Sequence, residues 1–124
     1  MIKNILLVAL GGGVGSMARY LCQKWVNYHY PHAFPWGTFT VNIIGCLLIG
    51  LFWGIAFKSF ISNEHWKLFL MTGLCGGFTT FSAFTLDSIG LLKEQRINLF
   101  FLYILASVVL GVIATYAGMK LSRL

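Results

Sequence analysis

Phe81 and Phe84 stand three residues apart, on one face of any helix that holds them, beside Thr80 and Ser82 in an otherwise apolar stretch. An aromatic ring carries a positive edge, so two rings presented edge-on can contact an anion without supplying a full countercharge. The competing reading is side-chain packing. Thr38 and Asn42, four apart, share a face in a second apolar stretch, and Tyr103, Ser107, Gly111 and Thr115 form a small or polar stripe in a third. Such stripes either line a path or hydrogen-bond between helices, and pattern alone leaves both open.

Arg19 and Asp87 are the two candidates for a charged group deep in a span, where a charge costs about 2.5–3.5 kcal/mol on insertion scales. Arg19 can draw an anion into a vestibule, or it can snorkel or bond a backbone carbonyl. Asp87, near the end of its segment, reads as a helix-end or interfacial carboxylate. No nucleophile with an adjacent base is recognisable, which argues against an enzyme. Cys22, Cys46 and Cys75 are odd in number, lie in apolar segments and form no C-x-x-C pair, so they read as packing thiols. Gly11-Gly12-Gly13-Val14-Gly15 lacks the Gly-Lys-Ser/Thr ending of a phosphate loop. Gly11 and Gly15, like Gly50 and Gly54, have instead the spacing that lets membrane helices approach closely.

The elements that position these residues follow from composition. The chain has 124 residues, 58% of them hydrophobic and 10% charged, too few charges for an ordinary soluble domain. A membrane-crossing helix needs about 20 apolar residues, which leaves room for four. The spans are placed at about residues 2–25, 36–57, 66–92 and 98–121, forming a single all-α transmembrane domain. Val26 to Pro35, with both prolines, makes the first loop, and Ser59, Ser62, Asn63 and Glu64 mark the second. Trp25, Trp36 and Trp66 fall at span ends, as an aromatic belt requires. The opening residues resemble a secretory signal, yet Arg19 and the apolar run to Trp25 give the length of a span.

The third span holds Thr72-Gly73-Leu74-Cys75-Gly76-Gly77-Phe78-Thr79-Thr80, where helix should weaken. A break at membrane depth requires protein or a water-filled cavity to satisfy its backbone, so it marks a buried functional feature or else a glycine packing face. The net charge of +6 comes from scattered cations that suit lipid headgroups better than nucleic acid. Lys3, Lys58, Lys67, Lys120 and Arg123 share one side; Arg19, Lys24, Lys93 and Arg96 share the other. Five against four sets almost no orientation. A subunit that inserts both ways can pair with its inverted copy, so an antiparallel homodimer is expected.

Three stretches together resemble the Fluc (CrcB) family of fluoride channels: Gly12 to Tyr20, Gly37 to Gly45, and Gly73 to Phe84, the last with Gly-Gly-Phe-Thr-Thr-Phe-Ser-x-Phe. Ala83 and Phe39 depart from the commonest family pattern, where Thr and Leu are frequent. The resemblance implies a dual-topology dimer with two pores, in which Phe81 and Phe84 offer ring edges to fluoride and Asn42 donates a hydrogen bond. Tyr103 and Ser107 become polar pore lining, with Thr38, Thr80 and Ser82 beside the path and Arg19 in a vestibule. A structural Na+ ion at the dimer interface, held by backbone carbonyls of Gly76 and Thr79, is implied as well. The function implied is passive fluoride export across the inner, cytoplasmic membrane, protecting the cell. The rival is a proton-coupled four-span multidrug exporter, which needs a membrane carboxylate; the first span has none, and Glu64 and Glu94 are placed in loops.

Overall fold

The computed structural model describes residues 1–58 and 63–124, so of the second loop Ser59 and Ser62 lie outside the described residues. Four helices are long and apolar enough to cross a membrane, Ile2–His29, Trp36–Phe57, Glu64–Lys93 and Ile97–Ser122, and the described residues contain no strand. The first is α1 and the second α2. The third span is composite: α3 (Glu64–Lys67), a π-helical segment (Leu68–Cys75), α4 (Gly76–Phe78) and α5 (Phe81–Lys93). The fourth is α6 (Ile97–Ser122).

Helix α1 runs four residues beyond the expected end at Trp25, so Tyr28 and His29 are helical and not in the loop. The extension positions Asn27, whose Oδ1 accepts from the Gly37 N–H at 3.1 Å. That N–H belongs to the first turn of α2, which has no intrahelical partner for it. Glu64 is likewise the first residue of α3 and not a loop residue, with Asn63 Oδ1 accepting from the His65 N–H at 3.0 Å as a cap. Glu94 does fall in a connection, just past α5.

Glycines decide which helices touch. A Cβ on Gly11 would overlap the Phe69 carbonyl, one on Gly15 would lie 2.9 Å from the Phe78 nitrogen, and one on Gly73 would meet Gly11 Cα at the same distance. Positions rise together along both chains, so α1 and the third span run parallel, backbone against backbone. Gly50, Gly54 and Gly118 do the same for α2 and α6, where a Cβ on Gly118 would sit 2.8 Å from the Leu51 nitrogen. The Gly11/Gly15 and Gly50/Gly54 spacings thus serve helix approach, driven by dispersion where lipid removes the hydrophobic incentive. Outside these seams the surface is apolar: Leu6, Leu10, Leu105 and Val112 are all more than half exposed, which suits a lipid-facing wall. Trp25 and Trp66, also more than half exposed, stand near span ends.

The break expected in the third span lies at Thr79 and Thr80, which have extended backbones (φ −92°, ψ 159° and φ −150°, ψ 120°). The π-helical stretch before it has no counterpart in the sequence reading.

Candidate functional site

An interrupted helix leaves backbone groups without their usual partners, and side chains from two other helices take them up. In a continuous helix the Thr80 N–H would donate to the Gly76 carbonyl. Here it donates to Asn42 Oδ1 at 2.8 Å, while Asn42 Nδ2 returns a bond to the Thr80 carbonyl at 3.0 Å. The Gly77 carbonyl, the next one along, accepts from Arg19 Nε at 3.0 Å. Thr79 Oγ1 and the Thr79 N–H both donate to the Cys75 carbonyl, at 2.9 and 3.0 Å. On the far side of the break, Thr80 Oγ1 accepts from the Ala83 N–H at 3.2 Å and caps α5. Side chains thus bridge much of the gap without a continuous ladder, since backbone at membrane depth needs partners from the protein or a cavity.

Beside the break lies a groove of about 530 Å³ whose wall includes Asn42, Thr80, Phe81, Phe84 and Ser107. These five expected residues come from α2, the break, α5 and α6, and the fold brings them to one surface. Gly76 and Thr79, the carbonyl pair expected to hold an ion, line the same groove. Ser107 Oγ is buried and has no hydrogen-bond partner among the described residues. Asn42 Nδ2 carries a second N–H beyond the one given to Thr80. The N-terminus of α5, with its partial positive charge, opens at the same place. The Phe81 and Phe84 rings lie with centroids 5.8 Å apart at 48°. Phe81 is 66% exposed, whereas Phe84 is backed by Tyr103 at 5.0 Å.

The remaining expected residues lie around this groove and not in its wall. Tyr103 is fully buried behind Phe84, packed edge-on against Phe34 at 5.4 Å, and donates its hydroxyl to Asp87 Oδ2 at 3.3 Å. Asp87 consequently sits in the middle of α5 with a partner, and not at a helix end. Thr38 is buried, and its Oγ1 accepts from Gln23 Nε2 at 3.2 Å. Ser82 is exposed, with its Oγ 3.3 Å from Thr80 Oγ1. Arg19 takes the carbonyl-bonding alternative that the sequence left open.

Gln23 and Asn27 escaped the sequence reading, although the signal was present. Arg19, Gln23 and Asn27 recur every four residues and form a polar stripe on α1. Each does one job: Arg19 bonds the Gly77 carbonyl, Gln23 the Thr38 hydroxyl, Asn27 the Gly37 N–H.

Known proteins offer a comparison for this arrangement. A family model described as CrcB-like protein, Camphor Resistance (CrcB), matches residues 6–119. A protein of Flavobacterium psychrophilum named fluoride-specific ion channel FluC is 48% identical over 122 residues, covering 98% of each chain. Proteins of the same name from Phocaeicola vulgatus and Agrobacterium fabrum are 47% and 45% identical, over 98% and 97% of this chain and 100% and 96% of their own.

Proposed function

This chain belongs to the CrcB family, and on that premise we propose that it is a fluoride-selective channel that lets the anion leave the cell passively across the cytoplasmic membrane. The observation that carries the reading is the groove at the third-span break. Two aromatic rings, the Asn42 amide, the Ser107 hydroxyl that has no partner among the described residues, and a helix N-terminus meet there, and no lysine or arginine is among the described residues of the wall. Such donors can replace the water that fluoride gives up, and they hold it weakly enough to let it go, which conduction requires. Phe84 is backed by Tyr103, which is itself packed on Phe34, so its ring is held in place beside the groove.

Hydrogen fluoride crosses membranes neutral and ionises inside, so the anion accumulates where a pore can release it. A potential of 100 mV, inside negative, is worth about 2.3 kcal/mol per unit charge. That corresponds to roughly 50-fold in concentration. No pump is required.

The functional unit is an antiparallel homodimer in a lipid bilayer. The near-even charge split supports it, as does the exposed face at the break, where Phe81 stands out and a Cβ on Gly76 would meet nothing within 4 Å. Two copies would bring their breaks together there. The residues also fit a Na+ ion between them: Thr80 and Asn42 have diverted the N–H that Gly76 would receive, and the extended Thr79 takes its own carbonyl out of the helical ladder. Carbonyl oxygens suit a hard cation, and Na+ bound there would join the two subunits.

The test is efflux from liposomes loaded with potassium fluoride, triggered with valinomycin and followed by an external fluoride electrode beside a pH indicator. Electrogenic fluoride release with flat pH, and almost no chloride release, is expected. Obligatory proton exchange, or release abolished by Asp87→Asn, would establish a coupled transporter instead.

A further inference from the structure

Because α1 and the third span run parallel, their first turns meet at the end of the bundle that carries the N-terminus. They leave a concavity of about 370 Å³ walled by Lys3, Leu7, His65, Trp66 and Phe69. We infer that this concavity seats one anionic phospholipid, its headgroup held by Lys3 and His65 and an acyl chain laid along Leu7 and Phe69.

Three observations converge on that occupant. His65 Nδ1 is buried and has no hydrogen-bond partner among the described residues, although such nitrogens are nearly always satisfied. A headgroup oxygen or hydroxyl supplies what is missing. Lys3 is exposed and makes no ion pair among the described residues, and Lys58, Lys67, Lys120 and Arg123 belong to the same side, so the local field favours a negative group. Glu64, the residue before His65, is not part of the wall. Finally, the rest of the wall is apolar, with Trp66 53% exposed and set edge-on to Phe69 at 6.4 Å. Tryptophan at a span end marks the headgroup level of a bilayer. A small soluble anion would use the two polar groups and leave the apolar floor bare, whereas a phospholipid uses both. The volume also lies within the ~300–1,000 Å³ range of small-ligand sites.

The experiment is native mass spectrometry of the purified full-length protein, incubated in parallel with phosphatidylglycerol, with phosphatidylcholine of the same acyl chains, and with glycerol phosphate. The wild type should retain phosphatidylglycerol in preference to phosphatidylcholine. Lys3→Ala should weaken phosphatidylglycerol retention about fivefold, roughly one surface lysine's worth of attraction, and Lys3→Ala with His65→Ala should abolish the preference by removing the His65 hydrogen bond as well. Trp66→Ala should weaken both lipids alike. Lys120→Ala with Arg123→Ala, which removes two cations from the same side but none from the wall, should leave the preference intact. Fluoride efflux in every variant should match the wild type, confirming folded protein, since none of these residues lines the groove at the break. Equal retention of the two lipids overturns the inference. So does a loss in the Lys120/Arg123 variant as large as in the Lys3/His65 variant, which would mean diffuse surface charge. Displacement of the lipid by glycerol phosphate at comparable concentration overturns it too, since the anion alone would then be the ligand.

Discussion

Asn42 and Thr80 grip each other through two hydrogen bonds, the side-chain amide of one standing in for the helical neighbours that the backbone of the other has lost. A residue expected to serve the ion is therefore also a splint for the break. The two roles are compatible because an amide nitrogen carries two hydrogens and only one is used.

Asn42→Asp removes the donor to the Thr80 carbonyl and sets a negative charge beside the groove. It should abolish fluoride efflux. Asn42→Ala leaves the Thr80 N–H and carbonyl unsatisfied and should cost about 1–3 kcal/mol of stability, read as a lowered melting temperature in detergent. Unchanged melting of the alanine variant would mean that the splint is dispensable.

Phe81→Ile and Phe84→Ile keep apolar volume but remove the ring edges. Both should cut fluoride efflux strongly while size-exclusion elution stays that of the wild type. The two should differ in melting. Phe84 packs on the fully buried Tyr103, whereas Phe81 is largely exposed in the single chain. Normal efflux from both would return the rings to packing.

Gly15 and Gly13, two residues apart and so on nearly opposite faces of α1, should respond in opposite ways. Gly15→Ala drives a methyl into the third span's backbone, with the Phe78 nitrogen only 2.9 Å away, and rigid backbone cannot yield. A loss of about 1–3 kcal/mol is expected, as for other overpacked sites. At Gly13 a Cβ meets nothing within 4 Å, so Gly13→Ala should melt no lower than the wild type. Equal behaviour of the two in a thermal melt would contradict the glycine seam.

The turn after α5 offers a stabilising change. The Gln95 N–H donates to the Leu92 carbonyl at 3.0 Å and the Arg96 N–H to the Leu91 carbonyl at 2.9 Å, the pattern of a Schellman cap, with Gln95 at φ 60° where glycine is customary. Left-handed backbone costs a side-chain-bearing residue about 1–2 kcal/mol. Gln95→Gly should raise the melting temperature without altering efflux, and a fall would show that the Gln95 side chain matters more than the backbone.

The orientation question is answered by reporters fused to the C-terminus, which should label both sides of the membrane in one population of cells. Two lysines added to one side should make labelling one-sided. One-sided labelling of the unaltered chain would rule out the inverted dimer.

Hydropathy and length determined the four spans by themselves, because lipid allows a single long apolar segment few structures other than a helix. The Gly-Thr run located the break for a related reason: residues that weaken a helix act locally, wherever the rest of the chain goes. The glycine spacings foretold close approach, but which helices approach, α1 with the third span and α2 with α6, depends on where backbones meet in space. Tertiary structure alone assigned the polar residues. Asn42 lies 38 residues from Thr80, and Arg19 lies 58 from Gly77, so no local pattern could pair them. The same holds for Tyr103 and Asp87, since a carboxylate read as a span-end charge acquires a buried donor only when α6 packs on α5. Periodicity marks a face as polar; whether that face lines a path or mends a backbone is decided by what the other helices have left unsatisfied.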